Sequence, residues 1–168
     1  MKRFISILII LSLSCLLGCN RKNISAYDIP AYFYYPLSDV DLHNNGKAID
    51  YELHEGADFL SDNELIQAYL NGPDRNAFYS PFPADGTVVD SILTTNRIRV
   101  VLSKHFNDLI GVQLTMATSC LALTLLDTKN VSIVEIHILA EDGAISRSFF
   151  MTRENVILTD SYRELPAA

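Results

Sequence analysis

The chain has 168 residues, of which 49% are hydrophobic, and carries 13 basic against 20 acidic side chains for a net charge of −7. That length and apolar content suit one compact domain with an extra segment at an end, and leave too little chain for two full domains. The acidic balance makes nucleic acid and anionic lipid headgroups poor partners for the surface, so no nucleic-acid binding is expected.

Met1, Lys2 and Arg3 give a positive start, and residues 4–17 (FISILIILSLSCLL) run almost wholly apolar up to Gly18 and Cys19. Residues 1–18 therefore read as a secretion signal. Its end, Leu16-Leu17-Gly18-Cys19, resembles the lipobox of bacterial lipoproteins. The resemblance implies that Cys19 receives a diacylglyceryl group and becomes the first residue of the mature chain; the alternative is an uncleaved N-terminal anchor helix. Two acyl chains, each methylene contributing about 0.8 kcal/mol, hold a protein on a bilayer without a spanning helix. The expected location is the extracytoplasmic face of the cell membrane, with the membrane as a partner through Cys19. Without Lys2 and Arg3, eleven basic residues face 20 acidic ones, a net of −9.

Residues 19–29 hold the lipidated cysteine and a short polar tether, 30–151 the folded domain, and 152–168 a C-terminal tail. Cys15 leaves with the signal and Cys19 carries lipid, so Cys120 is the one thiol of the domain and no internal disulfide is available. Its apolar neighbours favour a small buried hydrophobe over a nucleophile.

Residues 30–36 (PAYFYYP) are aromatic and extended, residues 47–54 (KAIDYELH) alternate, and Asn44-Asn45-Gly46 between them supplies a turn, which predicts a hairpin. Tyr32, Tyr34 and Tyr35 are candidate ligand contacts, a sugar-stacking platform; packing of strand aromatics into a core is the competing account. Asp39, Asp41, Asn44 and Asn45 only hint at a calcium loop, because Gly46 falls two places late for its turn. No metal is expected there.

Ser61-Asp62-Asn63-Glu64 is a capping box that starts a helix, Leu65, Ile66, Tyr69 and Leu70 form its apolar stripe, and Asn71-Gly72-Pro73 ends it. Residues 74–86, with two prolines before Gly86, form a loop. Residues 87–93 and 97–102 flank Thr94-Thr95-Asn96 as a second hairpin, which Ser103-Lys104-His105 closes.

Between Asp108 and Asp127 lie eighteen residues without a formal charge. A crossing needs about 20 predominantly apolar residues, and this run contains five hydroxyl or amide side chains. It reads instead as the main core helix, with a broad apolar arc from Leu109, Ile110 and Val112 to Leu123 and Leu125. Gly111, Thr115, Thr118, Ser119 and Ala122 make a stripe of small side chains at spacings of three and four. With no Lys or Glu to face water, something packs on this stripe, either another part of the chain or a partner, which makes these five residues a candidate interface. Residues 131–139 alternate as a strand, Glu141-Asp142-Gly143 turns, and residues 144–151 are the last strand. The order β-β-α-β-β-α-β-β predicts an α+β fold: a single small domain with an antiparallel or mixed sheet and two helices packed on it.

Residues 65–70 leading into Gly72-Pro73, then Ser80, Pro83 and Gly86-Thr87, a hairpin, a helix ending Leu123-Thr124-Leu125, and Val131, Val134 and Ile136 together resemble the GerMN domain of sporulation and spore-germination lipoproteins, over roughly residues 30–140. The resemblance implies an exported, often lipid-anchored α+β domain similar in architecture to the ring-building domains of sporulation secretion machines, acting in envelope processes such as spore assembly and germination. GerM itself has two such domains where this chain has one.

His43, His54, His105 and His137 fall into no catalytic spacing, and there is no G-x-S-x-G, H-E-x-x-H or phosphate-binding glycine loop. The expectation is a non-enzymatic protein without cofactor that works through a protein partner or self-association. The alternative is a lipoprotein that captures a peptide, sugar or cell-wall ligand.

Overall fold

In a computed structural model of the chain, the structure describes residues 30–38, 48–56 and 59–156. The expectations for the signal, Cys19, the tether, Asp39 and Asp41, the turn at 44–46 and most of the tail lie outside the described residues.

The elements run β1 (Ala31–Pro36), β2 (Ile49–His54), α1 (Asp62–Leu70), β3 (Val88–Leu93), β4 (Arg97–Leu102), a 3-10 helix (Lys104–Asp108), α2 (Gly111–Thr128), β5 (Ile133–Leu139) and β6 (Ile145–Met151). This is the expected succession, and it makes an α+β domain. Several strands start later than expected, and the larger differences lie between β4 and α2. Residues 103–105 enter a 3-10 turn instead of merely closing β4. Leu109 and Ile110 precede α2: Ile110 is extended at φ −133° and Gly111 adopts φ +55°, a left-handed value that favours glycine.

The strands form two sheets where one was expected. β1 and β2 pair only with each other, antiparallel, while the second sheet has the order β3-β4-β5-β6. β4 and β5 are parallel, which requires a crossover, and α2 supplies it. β1 does not join the larger sheet because its second edge is taken by α2. The Tyr32 N–H donates to Thr128 Oγ1 at 3.0 Å and the Tyr34 N–H to Thr124 Oγ1 at 2.9 Å. Two residues of strand advance about 6.8 Å and four of helix about 6 Å, so hydroxyls at i and i+4 match alternate strand amides.

The capping box of α1 is formed: Ser61 Oγ accepts from the Glu64 N–H and Glu64 Oε2 accepts from the Ser61 N–H. Past α1, Gly72 takes φ +103° and Pro73 stops the helix. Every residue of α2 from Ala117 to Leu126 is buried, as in a helix enclosed on all sides. The inner face of the larger sheet gives the core Ile98, Val100, Leu102, Val134, Ile136 and Ile138. An aromatic chain joins the two halves, with ring centroids 4.9 Å apart for Tyr35–Tyr69, 5.0 Å for Tyr69–Phe82 and 6.3 Å for Phe82–Phe106. Gly86 admits the Phe106 ring, since a Cβ there would stand 2.8 Å from it. Among the described residues no helix is long and apolar enough to cross a membrane.

Candidate functional site

Residues of the small-side-chain stripe are divided between surface and core. Gly111 and Thr115 are exposed in the first two turns of α2, whereas Thr118, Ser119 and Ala122 are 6%, 1% and 0% exposed within the chain itself. The cause is intramolecular: α2 packs chiefly on β1 and also against β5 and β6. A partner approaching this helix meets only its first turns.

The tyrosines also separate. Tyr35 is 0% exposed and donates from its hydroxyl to the Tyr69 carbonyl oxygen at 2.7 Å, so it belongs to the core rather than to a stacking surface. Strand alternation explains the split, since Phe33 and Tyr35 face inward while Tyr32 and Tyr34 share the other face. There they meet Tyr51 of β2, with ring centroids at 5.2 and 5.5 Å. Tyr34 is held further by a 2.5 Å hydrogen bond from its hydroxyl to Asp127, and burial together with that carboxylate pushes its pKa up. Tyr51, not singled out from sequence, is the most accessible of the three at 40% exposure.

No three His, Cys, Asp or Glu side chains converge on a metal position among the described residues. Cys120 is fully buried and its thiol is pushed up by that burial, which leaves no thiolate to react. His54 stacks on Phe33 at 4.8 Å. His137 is the histidine with hydrolase-like company: Nδ1 lies 2.8 Å from Ser148 Oγ and Nε2 lies 3.9 Å from Glu135 Oε2. The second distance exceeds hydrogen-bond reach, and both Glu135 oxygens already accept from arginines. Glu135 therefore does not orient the imidazole as a triad acid would.

Those arginines belong to a surface that sequence reading did not single out. The larger sheet has α2 on one face and, among the described residues, no helix on the other. Pairing register places Ile92, Arg99, Glu135 and Phe150 in one row across all four strands of that outer face. The adjacent row is Asp90, Val101, His137 and Ser148, and Arg97 stands opposite Ile133. Glu135 is 2% exposed although it faces away from the core, because its cover is the two arginine side chains. Arg97 Nη1 donates to Oε1 at 2.6 Å and Arg99 Nε to Oε2 at 3.0 Å. Burial pushes the Glu135 carboxyl up, but the Arg99 hydrogen bond and the charges of Arg97, Arg99 and His137 outweigh it and hold it below the usual carboxylate range. At the ends of the row Ile92 is 50% and Phe150 59% exposed.

Open cavities mark the surface of the described residues. One of about 470 Å³ lies at the β3–β4 turn beside Arg97 and Arg99, one of about 340 Å³ lies between Tyr79–Phe82 and the start of α2, and one of about 590 Å³ follows the 80–87 loop. Neither Ser148 nor His137 lines any of them.

No family profile matches the sequence, and no curated protein matches it. By structure the chain is similar to the tandem GerMN domains of the sporulation protein GerM from Bacillus subtilis, with a TM-score of 0.50 and 14% identity over 78% of this chain. The match spans 48% of that structure, so the chain covers about half its length. A suspected lipoprotein from Clostridium perfringens aligns over 83% of this chain and 95% of its own at 17% identity and a TM-score of 0.46. The likeness to GerM establishes a GerMN-like fold.

Proposed function

We propose that this GerMN-like domain is a non-enzymatic, lipid-anchored protein of the bacterial cell envelope that works by protein–protein contact, in an assembly process such as sporulation or germination. The observation that carries the reading is the outer face of the larger sheet, which no other described element covers and where the Ile92-Arg99-Glu135-Phe150 row offers half-exposed apolar ends around a charged centre. Aromatic residues and arginine are the types enriched where interfaces concentrate their energy. The fold supports the envelope setting, and the residues 16–19 motif supports the anchor on Cys19.

Size-exclusion with light scattering on residues 20–168, alongside pull-down on purified cell wall, tests it. Self-association that Phe150→Asp weakens at least tenfold, with the thermal unfolding unchanged, is the expected outcome. A strict monomer that binds wall material overturns the reading and favours the second one, in which Tyr32, Tyr34 and Tyr51 stack on a sugar or wall fragment. The exposure of Tyr51 at 40% is what favours that second reading.

A further inference from the structure

The structure assigns a carboxylate-binding site to the cavity at the β3–β4 turn, where Arg97 and Arg99 receive an acidic side chain of a protein partner. This rests on the protein-contact reading and names the chemistry of the contact.

Elsewhere among the described residues, Arg75 lies over the Phe78 ring at 5.2 Å and Arg147 donates to the Leu109 carbonyl oxygen at 3.0 Å, and three other cations each meet a carboxylate of their own. Lys104 meets Glu141, Lys129 meets Asp62 and Arg153 meets Asp127. Arg97 and Arg99 instead share the single carboxylate of Glu135, which leaves one positive charge in excess on a chain of net −7. Asp90, the one acid of β3, forms an ion pair with neither. A guanidinium carries five N–H donors, and each arginine spends one on Glu135, so several remain in a fixed planar fork. Both side chains are 48% exposed and both line the cavity of about 470 Å³.

The rest of the lining suits the same ligand. Thr94, Thr95 and Asn96 form the rim and Ile92 and Ile133 the flanks. Asn96 Oδ1 accepts from the Ser132 N–H, which leaves its amide nitrogen as a donor, and the Thr95 hydroxyl has no partner among the described residues. The rim is held open by backbone bonds, since Asn96 O accepts from the N–H groups of Ser132 and Ile133 and Arg97 O from that of Thr94. Glu135 is the counter-charge that keeps both forks aimed outward, and its lowered pKa keeps it ionised at neutral pH. An entering carboxylate completes the set of two anions on two cations, and the apolar flanks take the methylenes of a glutamate. A partner reaching this cavity lies at the Ile92 end of the row that carries the protein-contact reading.

The test is fluorescence anisotropy on the full chain in detergent micelles, with a labelled peptide of glutamates flanked by glycines and its glutamine counterpart. The glutamate peptide is expected to bind saturably, about tenfold or more tighter than the glutamine one, and to weaken as salt rises. Arg99→Gln should lose that preference. Because Arg99→Gln also strips Glu135 of a partner, Thr95→Glu serves as the second variant: it adds a negative charge at the rim without touching Glu135, and should abolish peptide binding with unfolding unchanged. Equal binding of the two peptides, no binding, or retention of the preference in Thr95→Glu overturns the site. Inorganic phosphate that binds where the glutamate peptide does not overturns the peptide reading in favour of a free anion. Self-association sensitive to Phe150→Asp without any response to the glutamate peptide sinks this site alone, whereas peptide binding in a strict monomer leaves the site and removes the self-assembly reading.

Discussion

Glu135 concentrates the electrostatics of the outer face into one titratable group. Because its folded carboxyl titrates below the unfolded value of about 4.3, folding gains from its ionisation above that pH and loses the gain as pH falls through the lower folded value. Glu135→Gln should therefore cost about 1 kcal/mol at neutral pH, a figure kept low because both guanidinium groups are half-exposed. It should also flatten the loss of stability below about pH 4, as read by urea titrations across pH. The alternation of Arg97, Ile98, Arg99 and Val100, and of Val134, Glu135 and Ile136, already placed the charged residues on one face of their strands. What single-chain reading lacked was the partner: β4 and β5 pair in parallel across an intervening helix, and no local pattern announces that register. Tyr35 was legible by the same period of two, since Phe33 and Tyr35 alternate with Tyr32 and Tyr34, and its placement among ligand contacts followed residue type over period.

At the level of elements, the small-residue stripe of α2 shows why helix faces are hard to assign from sequence. Thr118, Ser119 and Ala122 announce close packing, but a strand of the same chain and the surface of a partner demand the same small side chains. Thr124, which interrupts the apolar arc, carried the better signal, because a buried hydroxyl needs something to bond. It accepts from the Tyr34 N–H, and with Thr128 it closes the edge of β1. Thr124→Val keeps the shape and removes the acceptor, leaving a partly buried amide unpaired at a cost of about 1–2 kcal/mol. A urea titration should show that loss, and accelerated exchange of the Tyr34 amide should localise it. The capping box, the glycine that ends α1 and the hairpin around Thr94-Thr95-Asn96 were legible because each depends on residues within a few positions of one another. The division into two sheets was not, since it depends on contacts between residues 32 and 128.

For the whole molecule, the enclosure of α2 makes the domain one cooperative unit with Cys120 at its centre. In residues 20–168 that thiol is the only one, it is 0% exposed, and its pKa is raised by burial. Alkylation of Cys120 should be negligible in the native protein and rise in step with global unfolding in denaturant; labelling that precedes the loss of tertiary signal would show that α2 opens by itself. The threonine closure of β1 also imposes an order in time. Synthesis delivers the N-terminal hairpin first, and the hydroxyls that satisfy Tyr32 and Tyr34 follow 96 and 90 residues later. Until then the hairpin is a two-stranded ribbon with a bare edge, marginal alone and open to pairing with the wrong chain. The first strand pair of the domain to emerge is thus among the last parts to be secured, and a factor that shields residues 31–54 during that interval would raise the yield of folded protein without touching its final stability.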